Sequence, residues 1–396
     1  MIYTDNAATT PVSASVIQAV TECMTNVYGN PSSLHSIGQK AAEVLFEARQ
    51  TIAECLNCQP REIYFTSGGS EADNQAIRSA AHAGARKNKK HIISTAVEHH
   101  AVLHTLERLK KDEGFEVQLL ETDENGAVTA QQVADAIRED TCLVSVMFAN
   151  NEIGTVNPIS EIGAVCRAKG VAFHTDAVQA AGHIPIDVEA QSIDMLSLSG
   201  HKFHGPKGVG VLFVKKGIAV ENLIDGGAQE RGKRAGTENI PCIVGMAQAL
   251  KEACEEMDEV AEQEIAIRDR LIDGLSKIPH SALNGDRVNR LPNNVSFCFE
   301  GIEGESLLLM LDQNGICASS GSACTSGSLD PSHVLLAIGR IHEIAHGSLR
   351  LSLSKFNTMQ EADHIVGTVA QVVEYLRSFS PLWKDKISGK KEFILK

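Results

Sequence analysis

The chain has 396 residues, which is enough for a large hydrophobic core and for two domains of unequal size. Its 36 basic residues are outnumbered by 50 acidic ones, giving a net charge of −14, and only 4% of the residues are aromatic. Both values argue against a nucleic-acid-binding protein, which would show a basic excess and rings for base stacking.

The first residues have neither the basic nor the apolar segment of a signal peptide, and no apolar run reaches about 18 residues. We therefore expect no membrane span. The ten cysteines are scattered, which favours reduced thiols over a disulfide framework. Together these features predict a cytoplasmic protein.

The first quarter of the chain is predicted to form two helices, a strand and a third helix. Val16, Ile17, Val20 and Met24 recur at helical spacing. Ser36 is a candidate N-cap for a long second helix. In chain order, the predicted elements are a helix over 14–26, a loop over 29–33, a helix over 37–56, a strand over 62–66 and a helix over 71–83.

A glycine turn over 67–70 joins the predicted strand 62–66 to the helix 71–83. A strand, a glycine turn and a helix N-terminus form a cup for a phosphate group, because backbone N–H groups and the helix dipole face the anion. Ser70 adds a hydroxyl group. The turn is neither a Walker A loop nor a G-x-G-x-x-G motif. Taken alone, a plain glycine turn with a serine cap is an equally good interpretation.

Strands and helices alternate through the next hundred residues, and several strands are almost wholly apolar, which is typical of a parallel sheet covered on both faces. In such sheets, ligands bind outside the carboxyl ends of the strands. The predicted strands are 91–95, 115–120, 143–148, 171–174 and 195–198, and the predicted helices are 101–112, 129–137 and 161–169. Candidate site residues follow the predicted strand ends: Ser70, His99, Asn151, Asp176, Ser199 and Lys202.

Lys202 is the central candidate, because Ser199 and Gly200 break a strand and place it at the strand end. A desolvated lysine in a pocket can form a Schiff base with an aldehyde cofactor. Most lysines beside turns are solvated surface charges. Asp176 favours the functional interpretation here, because a lysine and an acid for a pyridinium nitrogen are the minimum set for pyridoxal phosphate (PLP).

The loop over 226–239 is polar, glycine-rich and basic, so it is predicted to have no core to join within its own subunit. It is either a solvated hairpin or an arm that contacts a phosphate group. A single long helix is predicted over 241–277. A smaller α/β unit follows from about residue 280, with strands near 294–299 and 347–353.

Cys324 lies in a run of small residues over 318–328. Because Ser, Gly, Ala and Thr bury little surface, the composition predicts a flexible segment with an exposed, reactive thiol rather than a buried structural cysteine.

Two metal-like motifs favour structural interpretations. Cys55 and Cys58 lack the second cysteine pair of a zinc site. An H-E-x-x-H match over 342–346 lies between two glycines and directly before a predicted strand, which leaves no room for a long helix. No metal site is predicted.

These motifs together resemble those of the NifS/IscS-type cysteine desulfurases, which are PLP enzymes of fold type I in the class V aminotransferase family. The resemblance runs nearly end to end, and the motifs keep their order. The long cysteine loop is most similar to that of the nitrogenase-associated NifS branch. The matching segments are 5–11, 29–33, 66–74, 150–152, 174–179, 199–202, 234–239, 320–326 and 350–353.

The resemblance implies an α/β fold with a large PLP-binding domain over 14–255, built on a mainly parallel sheet between helices. A smaller α/β domain, formed by 1–13 and 256–396, would carry the cysteine loop. The implied reaction removes sulfur from L-cysteine, giving L-alanine and a persulfide on Cys324, and supplies sulfur for iron–sulfur cluster assembly.

The resemblance also implies roles for individual residues. Lys202 would hold PLP and move the substrate Cα proton, Asp176 would pair with the pyridinium nitrogen, and His99 would stack on the ring and serve in acid–base steps. Cys324 would attack the substrate sulfur, and Arg350 would clamp the substrate carboxylate. Gln179 and Asn151 would contact ring substituents. The phosphate would be held by Gly69, Ser70, Ser199 and His201, together with Thr237 of the other subunit. Asn6 and Asn151 would contact the substrate.

The implied partners are a second copy of the chain in a homodimer and an iron–sulfur scaffold protein, NifU-like or IscU-like, as sulfur acceptor. Ser70 stands where many relatives carry threonine, and the hydroxyl is kept. The tail over 384–396 is net basic and matches no catalytic motif. It is either mobile or a contact for the sulfur acceptor.

Three other functions remain compatible with the residues. One is another PLP enzyme, an aminotransferase or a selenocysteine lyase, although transamination needs no thiol such as Cys324. The second is a non-catalytic scaffold that binds sulfur or metal through cysteines. The third is a zinc peptidase that uses His342 and His346.

Overall fold

The computed structural model describes residues 1–320 and 331–395. The strands are β1 (Ile2–Tyr3), β2 (Ile63–Thr66), β3 (His91–Thr95), β4 (Glu116–Leu120), β5 (Thr141–Ser145), β6 (Ala172–Asp176), β7 (Met195–Ser199), β8 (Gly210–Val214), β9 (Ser281–Leu283), β10 (Asn294–Phe299), β11 (Ile316–Cys317) and β12 (Ser348–Ser352). Two 3₁₀ turns cover Pro60–Glu62 and Gly200–Lys202.

The helices are α1 (Ala14–Asn26), α2 (Ser36–Leu56), α3 (Gly69–Ala85), α4 (His100–Glu113), α5 (Ala130–Ala136), α6 (Ile159–Lys169), α7 (Gln229–Gly232), α8 (Ile240–Glu255), α9 (Met257–Leu275), α10 (Gly304–Gln313), α11 (His333–Ala337), α12 (His342–Ala345), α13 (Met359–Phe379) and α14 (Pro381–Ile387).

The largest sheet has seven strands in the order β2-β8-β7-β6-β5-β3-β4. The five strands from β7 to β4 are parallel, whereas β8 is antiparallel to both of its neighbours. Helices α3 and α4 pack on one face, and α2, α6 and α8 on the other. Because both faces are covered, every residue of β3, β5, β7 and β8 is buried. The predicted α/β fold with a mainly parallel sheet is confirmed.

A second core forms around the antiparallel sheet β12-β10-β9, against α9, α10 and α13. The N-terminal segment connects the two parts of the molecule. β1 pairs with β11, Asp5 bridges to Ser352, and the Thr10 amide donates to the His201 carbonyl at 3.0 Å. The two cores correspond to the large and small units expected from the sequence, and the domain bounds after residues 13 and 255 stay predictions.

The predicted single helix over 241–277 is wrong, because the chain turns at Glu256 (φ −95°, ψ 0°) between α8 and α9. α8 packs in the core of the large sheet, whereas α9 packs in the core of the small one. The two helices therefore need different directions. Neither glycine nor proline marks the change. The strand expected over 143–148 also ends early, at Ser145.

Several C-terminal residues up to Leu395 contact the small domain, and the two interpretations of the tail, a mobile segment or a contact for the sulfur acceptor, stay predictions. Lys386 is buried and pairs with Glu300 and Glu343. The amides of Ile394 and Leu395 donate to the Glu300 carboxylate at 2.9 and 2.8 Å. Glu343 is the glutamate of the H-E-x-x-H match, and its ion pair is with Lys386. It lies in the four-residue helix α12.

None of the helices in the described part of the chain is both long enough and apolar enough to cross a lipid bilayer.

Glu264 of α9 is a buried acid. It is 1% exposed, and its Oε2 has no hydrogen-bond partner among the described residues. Burial penalises the charged form and raises the pKa of Glu264 to about 8. This pKa lies above the ordinary value of 4.5, so the protonated form of Glu264 is the one that suits the folded protein. The contribution of Glu264 to the free energy of unfolding is therefore fully present below pH 4.5 and is lost as the pH rises through about 8.

Replacing Glu264 with glutamine should therefore stabilise the protein at pH 8 and have little effect at pH 5. Glutamine keeps the shape of the side chain but cannot ionise, so the melting temperature at pH 8 should rise by about 2 to 5 °C. Thermal unfolding at the two pH values measures the difference. Glu262→Gln, at an exposed position of the same helix, is the control. An equal shift at both pH values would contradict the account.

Candidate active site

The site lies where strands of the large sheet end. Since β8 is antiparallel to both β2 and β7, those two strands run in the same direction, and their carboxyl ends lie at one edge together with the end of β6. In register, Gly210 lies opposite both Thr66 and Ser199. The glycine turn after β2, Asp176 at the end of β6 and the 3₁₀ turn after β7 therefore meet at this edge.

A cavity of about 370 Å³ opens at this edge. Its walls are formed by Ala7, Ala8, Gly69, Ser70, Asp73, His99, Met147, Asn151, Asp176, Val178, Gln179, Ser199, His201, Lys202 and Arg350.

Lys202 ends the 3₁₀ turn after β7 and extends towards the N-terminal segment. Its Nζ donates hydrogen bonds to the carbonyls of Ala7 and Ala8, at 2.6 and 2.8 Å. The backbone of Lys202 is held as well, because His183 Nε2 donates to the Lys202 carbonyl at 3.1 Å. Burial lowers the pKa of His183 to about 4, so its ring is neutral. The amine is thus held at the cavity wall by backbone carbonyls of the N-terminal segment.

Asp176 is 5% exposed and presents a carboxyl group to the cavity. Its Oδ1 accepts a hydrogen bond from the Val178 amide at 2.9 Å. Burial raises the pKa of Asp176, while His99, the Val178 amide and Lys202 act in the opposite direction. A cation bound next to the carboxyl would stabilise its ionised form.

The N-terminus of α3 forms a cup at the other end of the cavity. Gly69 is the first residue of this helix of 17 residues, so its free N–H groups and dipole favour an anion. Ser70, Ser199 and His201 line the same place. Burial, followed by the charges of Lys202 and Lys207, lowers the pKa of His201 to about 4, so the ring is neutral and acts by hydrogen bonding.

His99 is the N-cap of α4, and its ring is oriented by the backbone. The Ala101 amide donates to His99 Nδ1 at 3.1 Å. Since Nδ1 is an acceptor, Nε2 is the nitrogen that carries the proton when the ring is neutral. The sequence expectation that His99 lies in the pocket wall agrees with this placement.

Arg350 of β12 brings a buried positive charge to the cavity, with only 2% of its surface exposed. Its Nη2 donates to Asp5 Oδ1 at 2.9 Å and its Nη1 to the Asn151 carbonyl at 3.1 Å. Its Nε has no hydrogen-bond partner among the described residues. The guanidinium therefore keeps a donor for a further acceptor.

Most of the residues predicted from the sequence lie in the cavity wall, although nothing tests their roles, which stay predictions. Asn6 is buried beside the wall and donates to the Ser352 carbonyl at 2.9 Å, while its Oδ1 has no partner among the described residues. Thr237 is exposed and is not part of the wall within one subunit. Cys324 lies outside the described residues. Those in the wall are Gly69, Ser70, His99, Asn151, Asp176, Gln179, Ser199, His201, Lys202 and Arg350.

The loop over 226–239 is fastened to its own subunit, so the expectation that it has no core to join is wrong. Glu230 is buried and accepts hydrogen bonds from both terminal nitrogens of Arg49, at 2.8 and 2.6 Å, and from the Phe65 amide at 3.1 Å. Arg234 donates to Glu71 of α3 at 2.9 Å.

Sequence reasoning missed several wall residues, namely Ala7, Ala8, Asp73, Met147 and Val178. The two alanines act through backbone carbonyls, which leave no mark in the sequence. Asp73 had a usable signal, because it stands one turn after Gly69 on the same face as the cup and is followed by apolar residues at helical spacing.

Comparisons with known proteins agree with this geometry. The family model described as "Aminotransferase class-V" matches residues 2–365. A protein from Clostridium botulinum named cysteine desulfurase IscS is 52% identical over 394 residues, covering 99% of each chain. A solved structure titled "NIFS-LIKE PROTEIN" has a TM-score of 0.89 and 38% identity, covering 95% of this chain and 100% of that one. Another, titled "SspA in complex with cysteine", has a TM-score of 0.80 and 36% identity, covering 90% and 100%.

Gly210→Ala should disrupt the anion cup without touching any side chain of the cavity. A Cβ at Gly210 would lie 2.6 Å from the Gly68 Cα and 2.7 Å from the Leu198 carbonyl oxygen, and neither backbone atom can move aside cheaply. We expect the affinity for PLP to fall at least about tenfold, measured by equilibrium dialysis. Gly367→Ala on α13, where a Cβ meets nothing within 4 Å, is the control. Equal affinity in the two variants would contradict the placement of the cup.

Proposed function

The chain belongs to the class V aminotransferase family, and on that premise we propose that it is a PLP-dependent cysteine desulfurase. It takes sulfur from L-cysteine, releases L-alanine, and carries the sulfur as a persulfide on Cys324 for iron–sulfur cluster assembly. One observation supports this most directly. A lysine amine, a buried carboxyl and a helix N-terminus with hydroxyl groups line one cavity.

The donor set fits PLP at each of its three polar ends. The amine of Lys202 suits the aldehyde, Asp176 suits a protonated ring nitrogen, and the cup with Ser70, Ser199 and His201 suits the phosphate. Gly69 leaves the space that the cup needs, because a Cβ there would lie 2.6 Å from Val178 Cγ2. Gln179, which donates to the Ala7 carbonyl at 2.9 Å, lies in the wall for a ring substituent.

When bound, PLP supplies an electron sink for the substrate carbon that loses its proton. The chain's own residues orient the substrate and move that proton. Lys202 accepts the Cα proton, and the Ala7 and Ala8 carbonyls orient its amine before the cofactor binds. Asp176 holds the charge that keeps the ring nitrogen protonated. His99 would contact the ring of the bound cofactor and would present Nε2 for acid–base steps.

Arg350 binds the substrate carboxylate, and its surroundings fit this role. A guanidinium so deeply buried needs negative partners, and Asp5 supplies only one of them. The Nε of Arg350 and the Oδ1 of Asn6 have no partners among the described residues. A substrate carboxylate at Nε, with its ammonium group towards Asn6, would satisfy both atoms.

Chain geometry supports Cys324 as the nucleophile. Ser319 pairs with Arg350 through two backbone hydrogen bonds of 3.2 and 2.6 Å, which places the start of the cysteine segment at the cavity wall. Cys324 follows Ser320 by only four residues in the sequence. At the other end, Ser332 donates to Glu152 and His333 Nε2 donates to the Glu98 carbonyl at 2.9 Å.

Four of the other cysteines are poorly suited to carry sulfur. All nine in the described part of the chain are free thiols, and each is buried or half-buried. Burial raises the pKa values of Cys142 and Cys298 to about 11, and those of Cys58 and Cys166 to about 12, so these thiols stay protonated at neutral pH. The same free thiols support a reducing compartment, and we place the enzyme in the cytoplasm.

The enzyme is a homodimer in this proposal, because a large apolar surface is exposed on the single chain. Tyr28 is 73% exposed, Leu34 92% and Met24 66%, and Ile17 and Phe46 of α1 and α2 are more than half exposed. Thr237 follows the anchored part of its loop and is exposed, so it is available to the phosphate site of a second copy. The sulfur acceptor is an iron–sulfur scaffold protein.

The relatives at high identity carry the name IscS, so the nearness to the nitrogenase-associated branch and a role in nitrogen fixation stay predictions.

The alternative of an aminotransferase or a selenocysteine lyase differs from a desulfurase in one requirement. Only the desulfurase depends on the thiol of Cys324.

Cys324→Ala should abolish sulfide release while leaving cofactor binding intact, because the thiol is proposed to accept the sulfur and is not among the groups proposed to hold PLP. The measurements are sulfide and alanine production, the visible absorbance of bound PLP, and a mass shift of about 32 Da on Cys324 in the wild type. Cys298→Ala, at a buried thiol, is the matched control. Near-normal sulfide release by the Cys324 variant would move the protein to the aminotransferase or lyase alternative.

Hybrid dimers test whether Thr237 acts across the interface. In a hybrid of a Thr237→Ala subunit and a Lys202→Ala subunit, action in trans leaves one of the two sites wild-type, so about half of the wild-type desulfurase activity should return. Co-expressed subunits with different tags provide the hybrid. Ser70→Ala replaces Thr237→Ala in the control hybrid and should return nothing beyond the sum of its parents. The same result for both hybrids would show that Thr237 acts within its own subunit.

A further inference from the structure

Asp73 is a second acid at the end of the cavity where Asp176 lies. It stands on the second turn of α3, is 1% exposed, and is part of the cavity wall. Carboxyl oxygens of Asp73 and Asp176 and a ring nitrogen of His99 all lie within 4.8 Å of one another. The glycine turn over 67–70, which predicted the phosphate cup, does not predict an acid at position 73.

A row of buried polar groups beneath α3 fixes the position of Asp73. β5, β6 and β7 present Ser145, His174 and Ser197 on the face that α3 covers. Ser145 Oγ lies 2.9 Å from His174 Nδ1, and His174 Nε2 lies 3.0 Å from Ser197 Oγ. Asp73 lies at the end of this row, with its Oδ1 3.6 Å from His174 Nε2.

The donors and acceptors of this row have one arrangement that satisfies Asp73. Burial lowers the pKa of His174 to about 3, so its ring is neutral and has one donor and one acceptor nitrogen. If Ser145 donates to Nδ1, Nε2 donates to Ser197, and the Ser197 hydroxyl is left to donate to Asp73. The row therefore ends on Asp73 as an acceptor, and Asp73 Oδ1 remains without a partner among the described residues.

Two carboxyl groups this close in a desolvated site cannot both be ionised. Burial, then the neighbouring Asp176 and Glu98, raise the pKa of Asp73 well above its ordinary value. Asp176 instead has the Val178 amide, His99 and Lys202 to stabilise its charge. Glu98 is itself buried with a pKa raised to about 8, so it adds little negative charge near pH 7. The proton belongs on Asp73 and the charge on Asp176.

We propose that Asp73 is a positioning residue that shares one proton with Asp176, so that the two acids together carry a single negative charge opposite the ring nitrogen of PLP. The inference rests on the proposed placement of the cofactor. A protonated Asp73 lies beside the Asp176 carboxylate without adding a charge, so the single negative charge of the pair matches the one positive charge of the ring. Two ionised acids would instead attract a second proton or a metal ion to the site.

Infrared difference spectra of the holoprotein test the protonation directly. The spectrum of the wild type minus that of Asp73→Asn at pH 7 should contain the C=O stretch of a carboxylic acid, and the band should shift in D₂O. A difference spectrum with carboxylate bands alone would overturn the proposal. Ser145→Ala, at the far end of the row, is the control and should leave the acid band in place.

A double-mutant cycle on PLP affinity adds a measurement that a purely structural role would not move. Asp73→Asn keeps the neutral charge and should change the Kd by less than about threefold, whereas Asp176→Asn should weaken binding by about tenfold, because Asp73 can then ionise in its place. The double variant should lose at least about a further tenfold. Additive effects would overturn the proposal, as would a bound divalent metal ion at Asp73, His99 and Asp176 in metal analysis. If the wild type binds no PLP at all, the proposed function fails instead.

Discussion

The site depends on one constraint, which is that strands running in the same direction must end at the same edge of the sheet. β2, β6 and β7 lie in different places along the chain, yet each ends at this edge and delivers one part of the site. The cup, the acid and the lysine are then separated only by strand spacings of about 5 Å. β8 makes this possible. Because β8 is antiparallel to both β2 and β7, it holds these two strands, which are far apart in the sequence, in the same direction.

Much of this could be predicted from the sequence, and the failures have physical reasons. Asp176 and Lys202 were found because polar residues that follow apolar strands are unusual and because their chemistry is complementary. Asp73 was not found, because acids in an alanine-rich helix are usually solvated, and its helical spacing with the following apolar residues was the one sequence signal that this face lies on the sheet. The change of direction at Glu256 was missed because helical periodicity continues through it without glycine or proline.

Several buried acids lie near the cavity, and each receives hydrogen bonds from different donors. Glu152 accepts a hydrogen bond from Ser332, and burial raises its pKa to about 7. Glu98 accepts from the Met147 amide at 2.8 Å and from Thr95 at 2.9 Å. Arg350 is the buried cation of the cavity wall and Asp176 is a buried acid of the same wall, so the wall presents groups of opposite charge type. In the proposed function, Arg350 serves the carboxylate of the amino acid and Asp176 the cation of the ring.

The N-terminal segment has a consequence for the way the protein is made. Ala7 and Ala8 leave the ribosome 195 and 194 residues before Lys202, whose amine they hold, and Asn6 leaves 346 residues before Ser352, to which it binds. At about 5 to 20 residues per second, this wall of the cavity waits on the order of tens of seconds for its support. A nascent chain that already displays the whole large sheet still lacks β11 and β12, with which the N-terminal segment pairs, and with β12 it lacks the arginine. Cofactor capture therefore belongs to the end of synthesis, and a prematurely terminated chain is an unfinished binding site rather than a weak enzyme.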